Sequence, residues 1–387
     1  MRLRGDDMNW EGRNSISRRR FLADAAALSA VFGVSHALGM QHGHEASGRT
    51  LKSLMGRCGG LVGTQASKEM LQGAGGLVDF IVSNCSIVTP GNHMKWSTVR
   101  PGPRSFQFGD ADWVVDFCQK KGIAVHGHNL CWNEDNPAWL TASLNKYNGE
   151  HLLTEHISTV AGRYKGKIDS WDVVNEPVAT WFNRDDGLRP GPWIDALGPE
   201  YIDLAFYLAA DADPKALRVM NLNHVEQQES QVGRARQKTL DLLHGMLSRK
   251  VPIQAVGLEC HLDTSKPTDA VPLAAFIQQI RQMGLEVIFT EMDVLDVSAP
   301  GGFAARDAAV AKVYAEFLAA TLPAASPKRI IFWSLSDRGN WYDFMARTTP
   351  MYRRQDSLLH RPGLLDIGMN PKPSMVAVQN ALRQNCH

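Results

Sequence analysis

Two glutamates in this sequence each follow an apolar run directly. Glu176 closes Trp171-Asp172-Val173-Val174-Asn175-Glu176, and Glu291 closes Val287-Ile288-Phe289-Thr290-Glu291. A carboxyl at the mouth of an apolar element is partly desolvated, which disfavours its charged form and lets it hold a proton near neutrality. Two carboxyls flanking a glycosidic bond form an apparatus for cleaving it. One protonates the leaving oxygen, and the other attacks the anomeric carbon to give a glycosyl-enzyme that water then cleaves. Either glutamate alone would be read as a cap or an ion-paired residue at a turn. Together they point to Glu176 as acid/base and Glu291 as nucleophile. That retaining arrangement calls for a carboxyl separation of about 5–5.5 Å, against roughly 9 Å for inversion.

Other side chains suit a sugar-binding cleft. Trp132, Trp333 and Trp341 can stack on pyranose faces, while Asn92, Lys95, His128, Asn175 and Asn221 can hydrogen-bond hydroxyls. Trp113 and Trp171 are assigned to packing, because they fall inside a helical and a strand segment. His126-Gly127-His128 has a competing account, since an HxH on a strand can hold a divalent ion, with Glu259 and His261 as further ligands. Alternation along a strand puts residues 126 and 128 on one side, where both can serve substrate instead. No metal and no cofactor is expected.

These residues must be carried to one place by the elements around them. From residue 51, short β-rich runs alternate with longer amphipathic stretches, the pattern of βαβ units on a parallel sheet. Strands are predicted over 61–64, 86–89, 123–128, 168–174, 217–221, 253–258, 286–290 and 330–333. Helices are predicted over 111–121, 150–164, 201–210, 234–248, 273–284 and 305–322. Eight strands suit a closed α/β barrel, the (β/α)8 TIM barrel, as a single domain. Asn92 and Lys95 follow the second strand, and His126 and His128 end the third. Asn175 and Glu176 end the fourth, and Asn221 ends the fifth. His261 follows the sixth, Glu291 ends the seventh and Trp333 ends the eighth. A barrel gathers those C-terminal strand ends on one face, where its active site lies.

Composition agrees with this reading. The 387 residues are 44% hydrophobic, enough for a large core, and 41 basic residues against 40 acidic ones give a net charge of +1. That balance offers no basic stripe for nucleic acid or an anionic membrane. None of the six cysteines forms a CxxC pair, and Cys58 and Cys386 flank the barrel, whose two ends should meet, so a disulfide is expected between them. Arg18-Arg19-Arg20-Phe21-Leu22, an apolar run and Ser35-His36-Ala37 read as a twin-arginine-type signal over residues 1–37, directing export to the periplasm or beyond. Residues 38–50, with His42 and His44, read as linker, leaving 51–387 as the catalytic domain. No membrane anchor is expected after cleavage, and the protein is expected to be a monomer whose partner is a polysaccharide.

At these residues the chain resembles glycoside hydrolase family 10, the retaining endo-1,4-beta-xylanase family. The likeness runs from about Gly63 to Pro373. It is carried by Val88-Thr89-Pro90 with Asn92 and Met94-Lys95-Trp96, by His128 with Leu130 and Trp132, and by Trp171 to Pro177. Further along it rests on Gly257 with His261-Leu262, Thr290-Glu291-Met292-Asp293, Trp333 with Asp337 and Trp341, and Leu365-Asp366 with Pro371-Lys372-Pro373. The resemblance implies a (β/α)8 barrel that cleaves internal β-1,4 linkages of xylan, with Glu176 as acid/base and Glu291 as nucleophile. It implies that His261 hydrogen-bonds the nucleophile, that Asn175 binds the 2-hydroxyl of the reacting sugar, and that Asn92 and Lys95 serve the next subsite.

The departures concern the sugar. Gly91 stands where the family has Glu, Asn133 where it has His, Asp135 and Glu259 where it has Gln, and Leu222-Asn223 where it has Asp-Tyr. Gly91 is expected to open space for a bulkier, branched or hexose-based backbone. Glu259 puts a third carboxyl near the nucleophile, where, ionised, it would raise the Glu291 pKa. The alternatives to xylan are therefore a β-glucan or a branched or acidic exopolysaccharide cut by the same mechanism, or a carbohydrate-binding protein with weak catalysis.

Overall fold

The structure is a computed structural model that describes residues 50–73 and 76–386. The expected signal and all of the expected linker except Thr50 lie outside the described residues. Thr50 itself caps the helix Leu51–Arg57, its side chain accepting from the Ser53 backbone N–H at 3.1 Å.

Among the described residues nine strands follow: β1 (Leu61–Gln65), β2 (Ile87–Thr89), β3 (Ala124–Trp132), β4 (Ser170–Asn175), β5 (Leu217–Leu222), β6 (Ala255–Leu258), β7 (His261–Asp263), β8 (Glu286–Leu295) and β9 (Arg329–Phe332). Eight pair in parallel in the order β1-β2-β3-β4-β5-β6-β8-β9, and β9 returns to β1 to close the barrel. Each of the eight predicted strands is one of these. The sequence missed β7, three residues that pair with the far half of β8 (His261 opposite Asp293) outside the ring. That pairing lets β8 run on to Leu295, so Glu291 lies inside its strand and not after its end. β3 likewise continues past residue 128, to Trp132. Register shifts between β3 and β4 at His128/Cys131 and between β8 and β9 at Phe289/Met292 sit beside the residues of interest, where bulges commonly re-aim side chains.

The predicted helices are present as Gly109–Lys121, Gly149–Arg163, Tyr201–Ala212, Val232–Ser248, Ala270–Gln282 and Phe303–Ala325. The first ends at Gly122, which takes the left-handed conformation (φ 66°) that stops a helix cheaply. Phe303–Ala325 is apolar and long enough to cross a membrane by composition, yet it packs on β8 and on its neighbouring helices as an ordinary barrel helix. The main core lies between strands and helices, and a small second cluster of Val219, Ala255 and Ile288 joins β5, β6 and β8.

Trp171 is buried, as expected, against Gly127. A β-carbon at Gly127 would meet Trp171 ring atoms at 2.1–2.6 Å, so only glycine lets the indole lie against β3. Trp113 also packs, stacking on Phe117. Cys58 and Cys386 are joined, tying the helix Leu51–Arg57 to the helix Pro373–Asn385 beneath the start of β1, while the other four cysteines are buried thiols.

Candidate active site

The C-terminal strand ends surround a cleft of about 710 Å³. It is lined by Asn92, Lys95, His128, Trp132, Asn175, Glu176, His261, Glu291, Trp333 and Trp341, all expected there, and also by Glu134, Glu226, Glu259 and Tyr352. Asn221 is the correction. It is fully buried behind the cleft wall and does not line the cleft, and its side chain bonds other groups of the site. Its side-chain amide donates to Asn175 Oδ1 at 2.8 Å and Glu291 Oε1 at 2.9 Å, and its Oδ1 accepts from Thr290 at 2.6 Å.

Glu291 sits between two histidines. His128 Nδ1 is 3.7 Å from its Oε1, and His261 Nε2 is 3.4 Å from its Oε2. Burial alone would raise the Glu291 carboxyl, but His128 and His261 outweigh it and the net shift is downward. His261 is itself held by Asp293 at 2.8 Å. Burial works against its protonation, yet Asp293 and Glu291 push it up to about 10, so it is an imidazolium at neutral pH. Asp293 also accepts from Trp341 Nε1 at 2.8 Å, Tyr342 Oη at 2.7 Å and Ser334 Oγ at 3.1 Å, which fixes both the histidine and the tryptophan face. Asp293 lies two residues after Glu291, on the same side of β8. Strand alternation could have found it.

Glu176 is shifted the other way. Burial is the largest cause, the charges of Glu134 and Glu291 add to it, and Arg189 opposes it. The net direction is upward, towards a proton-holding acid. Arg189 was not foreseen, because it sits in the loop after β4 where no periodicity marks it. It is buried and bonds the Glu176 carboxylate, the Glu176 carbonyl (3.0 Å) and Glu134, while its guanidinium lies 5.4 Å from the Trp181 ring centre. Glu176 itself has φ 48°, in the left-handed region. That turn lets Asn175 and Glu176 both line the cleft, and Asn175 Nδ2 donates to Glu176 Oε1 at 3.4 Å.

His126 is buried below the cleft with both ring nitrogens committed, one to Ser170 (2.8 Å) and one to Asp172 (2.9 Å), which leaves it unable to ligate an ion in the cleft. Asp172 also bonds His128 at 2.8 Å. Burial raises this carboxyl, but the two histidines hold it at about 2. Lys95 lies 4.9 Å from the Trp132 ring centre, giving the cleft a cation beside an aromatic face.

Gly91 does not open space. It has φ 57°, and a β-carbon there would lie 2.4 Å from Gln65 Nε2, so the Gln65 side chain fills that volume and itself lines the cleft. Asn133 is withdrawn from the cleft, donating to Tyr201 Oη at 3.1 Å and accepting from the Trp193 N–H at 3.1 Å. Asp135 turns outward to accept from Ser97.

The chain is 33% identical over 295 residues to a beta-1,4-xylanase of Dictyoglomus thermophilum, covering 74% of this chain and 78% of that one. It is 37% identical over 235 residues to an endo-1,4-beta-xylanase A of Caldicellulosiruptor sp., covering 56% of this chain and about a third (32%) of that longer one. Among solved structures, xylanase 10B from Thermotoga petrophila, in complex with xylobiose, superposes with a TM-score of 0.76 at 25% identity over 91% of this chain and 100% of that one. Native xylanase 10B from Thermotoga maritima does so at 0.74 and 27%, over 87% and 98%. Residues 50–381 match the pattern of glycosyl hydrolase family 10, and with the barrel and the two oppositely tuned carboxyls at its mouth, the chain belongs to that family.

Proposed function

We propose that the chain is a retaining endo-acting hydrolase of internal β-1,4 linkages in xylan. One observation carries the reading: two buried carboxyls in one cleft are pushed in opposite directions, Glu176 towards its acid and Glu291 towards its anion. Such a split assigns the acid and the nucleophile. Glu291 attacks the anomeric carbon as Glu176 delivers its proton to the leaving oxygen. The resulting Glu176 carboxylate then takes a proton from water, whose oxygen displaces Glu291 and frees the sugar with its configuration retained. The His261 imidazolium and the Asn221 amide steady the Glu291 charge before attack and let it go during ester formation. Similarity to the xylanases named above supports xylan as the polymer.

The test is product release from xylan by the native chain and by Glu176→Ala and Glu291→Ala. Each substitution should abolish turnover, and the first-formed reducing end should be the β anomer. Full activity in either variant, or an α product, refutes the assignment.

A second polymer is favoured by the altered wall, where Gln65 occupies the volume beside Gly91 and Asn133 is drawn away from the cleft. A panel of xylan, mixed-linkage glucan and acidic exopolysaccharide, with products sized, separates the two readings. Higher kcat/KM on a non-xylan polymer would displace xylan. Export is supported by the Cys58–Cys386 bond, since disulfides persist in oxidising compartments. Recovery of the mature chain only in the cytoplasmic fraction would overturn it.

A further inference from the structure

The carboxylates that line the cleft, Glu134, Glu176, Glu226, Glu259, Asp263 and Glu291, come from β3 to β8 and the loops after them. The wall built from β1, β2 and β9 and the loops after them brings no acid, and its polar side chains include Gln65, Asn92, Lys95 and Arg338. Gln65 ends β1 opposite Thr89 of β2, where the Ala66 N–H donates to the Thr89 carbonyl at 2.9 Å. Two residues further, Gly91 turns the chain (φ 57°) into the short helix Gly91–Met94, which carries Asn92 and ends at Lys95. His93 fixes that turn from behind, its Nε2 accepting from the Lys68 N–H at 2.9 Å.

Gln65, Asn92 and Lys95 reach the cleft with their polar ends unengaged. Among the described residues, the two amides and the ammonium make no hydrogen bond and no ion pair, and the ammonium faces the Trp132 ring at 4.9 Å. Arg338, from the loop after the strand that flanks β1, donates to the Ile367 carbonyl at 3.1 and 2.7 Å and pairs with no carboxylate there. Glu69 is turned to His93 at 3.5 Å and does not line the cleft. Where the family has Glu this chain has Gly91, and the Gln65 amide nitrogen lies 2.4 Å from where a side chain at 91 would begin. A neutral donor therefore stands in place of a carboxylate, on the turn that carries an ammonium without a counter-charge. Such a half-buried cation attracts an anion, and amide and ammonium are both donors that a carboxylate accepts from.

We propose that Gln65 and Lys95 are specificity-determining residues that select a xylan bearing uronic acids, by receiving the carboxylate of a uronic acid carried on the sugar next to the reacting one. This rests on Glu176 and Glu291 cleaving xylan. Lys95 supplies the charge and the Gln65 amide supplies a directed hydrogen bond, while Asn92 remains for hydroxyls. At the reacting sugar Glu259 and Glu291 repel such a group, so its place along the chain is fixed relative to the bond that is cut.

The test compares glucuronoxylan with the same polymer after its uronic acids have been reduced to neutral hexoses, which keeps the branches and removes the charge. For the native chain kcat/KM should be about tenfold higher on the charged polymer, the effect of one charge-assisted hydrogen bond. The ratio should shrink towards one as salt is added. Products from the charged polymer should carry a uronic acid on the sugar next to the new reducing end. Gln65→Glu returns a carboxylate to this wall and should bring the ratio to one or below. Lys95→Met should lower the ratio as well, whatever it does to turnover of either polymer, and a merely structural role would move both polymers together. A native ratio of one or less, a ratio that survives in Gln65→Glu or in Lys95→Met, or products without a uronic acid at that sugar overturns the proposal. No cleavage of either polymer would overturn the proposed function and this inference with it, whereas equal cleavage of both removes this inference alone.

Discussion

Replacing Arg189 with methionine should raise the pH range over which Glu176 works as an acid. Methionine keeps an apolar stem beside Trp181 and removes the charge. In the native chain the guanidinium bonds the Glu176 carboxylate with side chains only 5% and 12% exposed, so water screens the pair little. A hydrogen bond to a charged group contributes about 1.5–3 kcal/mol. At about 1.4 kcal/mol per pKa unit, its loss raises Glu176 by roughly one to two units. Glu134, released from the same guanidinium, pushes in the same direction. Glu176 is needed protonated for the first step, so the alkaline limb of kcat/KM on a phenyl β-xylobioside should move up by that amount. Glu176 is needed ionised for the second step, so kcat below the new pKa should fall by about tenfold per unit wherever deglycosylation limits. Arg189→Lys, which retains the charge but loses the fork that spans Glu176 and Glu134, should move the limb up by less than Arg189→Met does. An Arg189→Met limb that is unmoved or displaced downward would show that Arg189 does not set the Glu176 proton affinity.

Asn221→Ala removes the donor to Glu291 and to Asn175 Oδ1 and leaves the Thr290 hydroxyl only its longer bond to the Leu258 carbonyl (3.2 Å), so kcat/KM should drop by about a hundredfold and the melting temperature should fall. A variant with native kcat/KM would mean that Asn221 does not orient the nucleophile. The double substitution Cys58→Ser/Cys386→Ser opens a link spanning 328 residues, and should cost about 2–4 kcal/mol in urea unfolding with kcat at 25 °C unchanged, because the bond lies at the opposite end of the strands from the cleft. An unchanged urea midpoint would show that the parallel contacts of β1 with β9 already hold the ends.

The barrel was legible because most of the parallel strands are largely apolar and buried on both faces, and the helices between them carry an apolar stripe. Asn92, Lys95, His128 and Trp333 reached the cleft by the strand-end rule. The same rule misplaced Asn221, because it does not register depth. Gly257, opposite it on β6, has no side chain, and a β-carbon there would sit 2.4 Å from Asn221 Oδ1, so the amide sinks into the wall. β7 was missed because three residues set no period, and with it the reason β8 continues. Arg189 and Glu134 come from loops that meet through tertiary packing, which a single sequence does not encode in any spacing. Gly91 was misread because the residue that fills its space, Gln65, lies on β1, far away along the chain.

The left-handed backbone at Glu176 has an evolutionary consequence. Holding a branched-off side chain in that region costs of the order of 1–3 kcal/mol, and burying a carboxyl adds to the cost. Glycine or asparagine would be more comfortable there, so the backbone holds its acid at a cost. Descendants released from selection for turnover should drift to those residues at this site while gaining heat resistance, and Glu176→Gly should melt above its parent. A lower melting point would mean that the Arg189 contact more than offsets the backbone strain.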